Sequence, residues 1–247
     1  MMNIVVLVKR VPDTNAKIVV ANERVDLSSV KWVISPYDEF AIEMALRHRE
    51  SNGGEVVALT LGDAQSDKVL KDAKAIGVDK LVRIWNDNWN YLDSVGIQSA
   101  LAQTITELGA QVVYCGKSAA DTGAASTGPG LAEKLGWPNI SNAVETEFGD
   151  KLLVTAPVSG NPAKLEVGLP AVITCDKGPY KVRKPNVKGI MMAKKATVEV
   201  KDASIPEQTV KLESHSYPPQ KPAGKQFHGS ESVQNVVQLL RDEANVI

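Results

Sequence analysis

The chain has 247 residues, 43% hydrophobic and 23% charged, the usage of an ordinary globular protein with length for one large domain or two small ones. Lys and Arg number 28 against 29 Asp and Glu, a net charge of −1 that argues against broad nucleic-acid binding. Apolar runs such as Ile4 to Val8 fall far short of the ~20 residues that span a bilayer. Lys9 and Arg10 follow at once, so neither membrane insertion nor a signal peptide is expected. Cys115 and Cys175 are too far apart in sequence for a CxxC redox pair or a zinc site, and the chain reads as reduced and cytoplasmic.

The β-branched run Asn3 to Val8 predicts a buried strand, and Glu55 to Leu61, Lys80 to Trp85 and Gln111 to Cys115 repeat it. Helices are predicted between them over Tyr37 to Glu50, Asp63 to Ile76, Tyr91 to Leu108 and about Gly128 to Leu135. The first sets Phe40, Ala41, Met44 and Ala45 on one side. Strands joined by crossover helices predict right-handed βαβ units and a parallel sheet covered on both faces. Residues 3 to about 140 are therefore read as a doubly wound, Rossmann-like α/β layer. Short strands follow over Val144 to Thr155, Lys164 to Val167 and Ala171 to Cys175, with Ser159-Gly160-Asn161-Pro162 as a turn. Ala171 to Cys175 is a candidate to extend the main sheet. After Asp176 an extended arm is expected, because six of the 13 prolines fall between Pro179 and Pro222. Ser230 to Asn245 carries Val233, Val236, Val237, Leu239 and Leu240 on one side and predicts a last amphipathic helix. The expected fold is α/β, a doubly wound, mostly parallel sheet with a small β-hairpin region and an extended C-terminal arm ending in a helix. Residues 1–180 form the expected nucleotide-binding domain and 181–247 the arm.

In an open parallel sheet, ligands bind outside the carboxyl ends of the strands, where strand order reverses. Those ends are Leu7 to Asp13, Leu61 to Asp63 and Gly116 to Gly128. Small residues from Gly116 to Gly130 let backbone approach a ligand closely. Ser126 and Thr127 offer helix caps and hydroxyls, and the N–H groups behind them form an anion site suited to a phosphate. The alternative is a ligand-free turn. This is not a dinucleotide fingerprint, since Glu133 replaces the third glycine after Gly128 and Gly130, and no Walker A, HExxH or GxSxG sequence occurs. His48, His215 and His228 are scattered, so no catalytic constellation and no metal site is expected. Lys177 to Lys195 holds seven basic residues and no acid, with Val187, Ile190, Met191 and Met192 among them. It reads either as a solvated face or as an adaptable docking surface.

Several segments together resemble one family. They are Ile4 to Asp13, Ile34-Ser35-Pro36-Tyr37-Asp38-Glu39 with Phe40 to Glu43, Gly77-Val78-Asp79, Gly116 to Asp121, Ala125-Ser126-Thr127-Gly128, Gly136-Trp137-Pro138, Leu169 to Thr174 and Gly189 to Lys195. In this order, across almost the whole chain, they resemble the β subunit of electron transfer flavoproteins. The resemblance implies a heterodimer with an α subunit that holds most of a redox FAD, and AMP without redox role in this subunit. It implies AMP contacts from Leu7, Ser35, Pro36, Tyr37, Asp38, Leu61 and the loop Gly116, Lys117, Ser118, Ala119, Ala120, Asp121, Thr122, Gly123, Ala124, Ala125, Ser126 and Thr127. It implies docking to acyl-CoA dehydrogenase-type flavoenzymes through Val187, Lys188, Gly189, Ile190, Met191, Lys194 and Lys195, with Val187 where the family has leucine. Electrons would pass on to a quinone-linked or other oxidoreductase. Thr14, Ala156 and Pro157 replace usual family residues, which implies an altered flavin environment in the α subunit. A flavin-bifurcating subclass holds a second FAD in place of AMP and uses NADH. The ending Ser126-Thr127-Gly128 is closer to AMP-binding members. A stand-alone adenine-nucleotide module is the remaining alternative.

Overall fold

Every pair of neighbouring strands in the central sheet is parallel, and each connection between them is long enough to carry a helix. The computed structural model describes residues 2–89, 92–149, 151–221 and 223–247. The chain runs β1 (Asn3–Leu7), β2 (Arg10–Pro12), β3 (Val19–Ala21), β4 (Arg24–Asp26), β5 (Trp32–Ile34), α1 (Pro36–Asn52), β6 (Glu55–Leu61), α2 (Asp67–Ile76), β7 (Lys80–Ile84), α3 (Ser94–Glu107), β8 (Val112–Gly116) and α4 (Thr127–Leu135). Then come β9 (Asn139–Ala143), β10 (Glu145–Phe148), β11 (Leu152–Val158), β12 (Asn161–Val167), β13 (Ala171–Cys175), α5 (Val187–Lys195), β14 (Glu199–Lys201) and α6 (Val233–Asp242). The seven-stranded sheet has the order β14-β7-β6-β1-β8-β13-β9.

β1 lies in the middle, with Ile4 paired to Val56 on one side and to Val112 on the other. Its alternation divides two cores, as strand geometry requires. Ile4 and Val6 pack with Ile42, Leu46 and Tyr114 on one face, and Val5 and Leu7 with Leu59, Leu101 and Ile105 on the other. Burial on both faces explains the near-continuous apolar runs read from the sequence.

Val25–Glu213 and the chain up to Val19 form one compact unit, and Val20–Arg24 with Ser214–Ile247 form a second. In the second, the Tyr217 hydroxyl accepts from Val20 N at 2.9 Å and Lys225 pairs with Glu243 at 2.7 Å. α6 leaves Val233, Val237 and Leu240 exposed.

Three expectations are corrected. The run Val144 to Thr155 is not one strand but the hairpin β10–β11, with Glu145 facing Thr155. Asp150 lies outside the described residues, as do Tyr91 of the predicted third helix and Pro222. The stretch after Asp176 is not extended throughout. Residues 186–205 contain no proline, and Asn186 accepts from Gly189 N at 2.8 Å to start α5. β14 then joins the sheet edge, Val200 beside Arg83. β9, just beyond the expected end of the doubly wound layer, also belongs to the main sheet. Ala171 to Cys175 extends the sheet as anticipated. Ser159 and Gly160 make a two-residue turn with positive φ at both positions, the geometry that suits the twist of β11 and β12.

Candidate functional site

Strand order reverses beside β1, since the chain builds outward through β6 and β7 and then returns to place β8 on the other flank. A cavity of about 340 Å³ opens at the carboxyl ends of β1, β6 and β8. Of the sequence-predicted contacts, Leu7, Asp38, Leu61, Gly116, Lys117, Ser118, Ala119, Thr122, Ala124, Ala125, Ser126 and Thr127 line it. Ser35, Pro36, Tyr37, Ala120, Asp121 and Gly123 do not. One wall is apolar, formed by Leu7, Leu59, Leu61, Ile97 and Leu101. The loop from Gly116 to the head of α4 also lines the cavity.

Asp38 ties these strand ends together. Its carboxylate accepts from Lys9 N at 2.8 Å and from Gly116 N at 3.0 Å, so one buried side chain bridges β1 and β8 at the reversal point. Burial raises its pKa to about 7, against the two backbone N–H donors that favour the charged form. Gly116 has no room for a side chain, because a Cβ would strike the Asp38 carboxylate and lie 2.8 Å from Tyr37 Cβ. This packing is why the small residue is needed there, and why Tyr37 and Ser35 act from behind the wall. Ser35 Oγ accepts from Ala120 N at 3.3 Å and supports the loop.

Asp121 does not line the cavity but pairs with the ammonium of Lys9, a residue that does, at 2.8 Å. Lys117 pairs with Asp176 at 2.8 Å and rests over the Tyr37 ring, 4.6 Å from its centroid, and the ion pair raises its pKa. The loop bends through positive φ at Gly123 and Ala125. Ser126 precedes α4, but its side chain makes no capping hydrogen bond, which corrects the capping role expected for it. Its backbone is already helical, with φ −98° and ψ −17°, not the extended geometry of a capping residue. Thr127 N and Gly128 N therefore have no partner from the helix or from that hydroxyl, while Pro129 has no N–H and Gly130 N donates to Ser126 O at 3.0 Å.

Sequence reasoning missed the contribution of α3. Ser94, Ile97 and Leu101 line the cavity, and Gln98 Nε2 donates to Ser126 O at 3.0 Å. Ile97 and Leu101 are spaced like ordinary core residues. The usable signal was Asp93-Ser94, a helix start at the carboxyl end of the sheet. Cys115 and Cys175 are free and buried, and burial pushes both thiols up.

The predicted docking residues cluster elsewhere, on α5. Val187 is 76% exposed and Met191 59%, with Ile190 and Met192 also open. Lys188, Lys194 and Lys195 are exposed around them, while Gly189 sits against Ala75 O of α2, where a Cβ would clash. Arg183, counted in the same basic run, is engaged within the chain. It donates to Glu43 at 2.8 Å and to Glu50, and holds the buried Glu43 carboxyl down at about 2 against the cost of burial. Among the described residues, no helix is long and apolar enough to cross a membrane.

The electron transfer flavoprotein domain family matches residues 24–206. The chain is 34% identical to the electron transfer flavoprotein subunit beta of Bacillus subtilis (strain 168) over the whole of both chains. It is 35% identical over both full lengths to the mitochondrial electron transfer flavoprotein subunit beta of Oryza sativa subsp. japonica. It is also 34% identical to the acryloyl-CoA reductase electron transfer subunit gamma of Anaerotignum propionicum, over 77% of this chain and 73% of that one.

Proposed function

The chain belongs to the electron transfer flavoprotein family, as a beta-type electron-transfer subunit, and from that premise we propose that it holds AMP at the strand-reversal cavity and completes a heterodimer with a FAD-carrying α subunit. The cavity carries this reading. Its volume of about 340 Å³ lies near the lower end of the range for small-molecule sites, which favours a mononucleotide over a second FAD. The wall of Leu7, Leu61 and Ile97 suits a flat apolar base. Ser118, Thr127 and the N–H groups of Thr127 and Gly128 at the head of α4 suit a phosphate. These donors are the residues of this chain that would bind and orient the nucleotide. Asp38 would keep their spacing fixed.

The chain itself catalyses nothing in this reading. FAD of the α subunit supplies the redox chemistry, and this subunit supports it and offers α5 to acyl-CoA dehydrogenase-type flavoenzymes. Electrons leave to a quinone-linked or other oxidoreductase. The exposed Val187, Ile190, Met191 and Met192 among lysines support the docking role. Two buried thiols without a disulfide fit a reducing compartment. Nucleotides released by acid from the purified complex, separated and quantified, test the reading. One FAD and one AMP per heterodimer is expected. Two FAD and no AMP would instead assign the cavity to a bifurcating flavin. No flavin and no second subunit would leave a lone nucleotide module.

A further inference from the structure

Asp93 does more than cap α3. It is 4% exposed, and one carboxylate oxygen accepts from Gly96 N at 2.8 Å, the ordinary capping bond. The other oxygen accepts from Thr209 N at 2.9 Å, Thr209 Oγ1 at 3.3 Å and Val210 N at 3.3 Å, more than a hundred residues further along the chain. The contact is reciprocal, because Asp93 N donates to Gln208 Oε1 at 2.6 Å. The Gln208 amide also lies over Gly96, where a Cβ would come within 2.7 Å of it.

The segment Pro206–Val210 is thus strapped across the first turn of α3. That turn forms part of the cavity wall, through Ser94 and Ile97. One turn on, Gln98 holds α3 to the nucleotide loop at Ser126 O. The head of α3 is therefore clamped between loop and strap.

We propose that the strap Pro206–Val210 is a latch on the nucleotide cavity, with Asp93 as the positioning residue that seats it. The proposal rests on the reading that the cavity holds a nucleotide. A seated strap fixes the α3 wall and slows nucleotide loss. A released strap loosens that wall. The seated strap is proposed to raise nucleotide affinity as well as slow its loss, and by linkage the bound nucleotide then holds the strap down by the same factor.

Asp93→Asn tests this in the purified heterodimer. Asparagine caps a helix as well as aspartate, but it forfeits the charged acceptor for Thr209 and Val210. Radiolabelled AMP is loaded and its release is followed under excess unlabelled AMP. Release about tenfold faster than wild type is expected, the size of one charge-assisted hydrogen bond. Gln208→Ala, on the strap side of the contact, is expected to act in the same direction. Exchange of the Thr209 and Val210 amides is expected to slow when AMP is added to the wild type and to lose that response in Asp93→Asn. A purely structural cap would leave exchange at the strap indifferent to AMP. If wild type retains AMP while both variants release it at the wild-type rate, the latch alone is overturned. If wild type binds no AMP, the cavity reading falls and the latch falls with it.

Discussion

Two short lysine-bearing segments, Gly116–Thr127 and Val187–Lys195, differ in composition and behave in opposite ways. The first engages its charged groups within the chain. Lys117 is committed to Asp176 and Tyr37, the Gly116 amide is committed to Asp38, and small residues leave a cavity beneath. The second turns its apolar groups outward, with only Ala193 buried and Val187 about three-quarters exposed. Composition separates them, and so do their partners within the chain: Lys117 and Asp121 are both ion-paired, while the apolar side chains of the second segment stay open. A lysine with a carboxylate waiting on a neighbouring strand builds a site, and a lysine beside exposed methionine and valine marks a surface.

The contrast is broken most severely at Gly116. Gly116→Ala drives a methyl into the Asp38 carboxylate and costs Asp38 its bridging geometry, so a loss of about 3 kcal/mol is expected, a drop of roughly 6–12 °C in melting temperature. Thermal melting checks it. A melting temperature within 2 °C of wild type would mean that the wall is soft.

The inward side also titrates. His48 is fully buried, bonded to the Tyr114 hydroxyl at 2.9 Å and stacked on Phe148, and burial lowers its pKa to about 4 from 6.5. The unfolded chain therefore takes up that proton first. His48 favours the fold above pH 6.5, and this contribution is lost as the pH falls from 6.5 toward 4. Asp38 runs the other way. Its folded pKa of about 7 lies above 3.8, so the folded chain takes the proton first and acidification from 7 toward 3.8 adds stability. Each contribution is on the order of a few kcal/mol and the two oppose each other. His48→Phe is expected to unmask Asp38, so that stability between pH 7 and 5 rises on acidification more than in wild type. Denaturant midpoints across that range decide it, and an unchanged pH slope contradicts it.

A smaller effect sharpens the contrast on the loop. Thr127→Ala with Asp121→Ala is expected to cost under about 1 kcal/mol, since the Lys9–Asp121 pair is largely solvated. The double variant is nevertheless expected to lower the nucleotide content of the purified complex several-fold. Unchanged content would place the phosphate site elsewhere. The outward segment is expected to give the smallest change in stability. Val187→Asp with Ile190→Asp should stay within about 0.5 kcal/mol of wild type, yet slow electron transfer from partner dehydrogenases at least tenfold. Intact transfer would move the docking surface off α5.

The central strands were legible because burial on both faces writes itself as uninterrupted Val, Ile and Leu. Glu55 to Leu61 matches β6 to the residue. β9 was hidden because Asn139, Ser141 and Asn142 are exposed on an edge strand, and β14 because three residues carry little pattern. α5 was obscured by weighing prolines over a long window when none falls between Pro185 and Pro206. The loop half of the cavity was legible from its glycines and serines at a strand end. The α3 half was not, because Ile97 and Leu101 carry the same spacing whether they face a core or a ligand. Arg183 was read with its lysine neighbours, although its partners Glu43 and Glu50 lie more than 130 residues away.

The most direct measurement is the nucleotide content of the purified complex after acid release. One AMP together with one FAD per heterodimer is the expected result, with AMP lost when the cavity loop is altered. A complex that carries FAD but no AMP would contradict it.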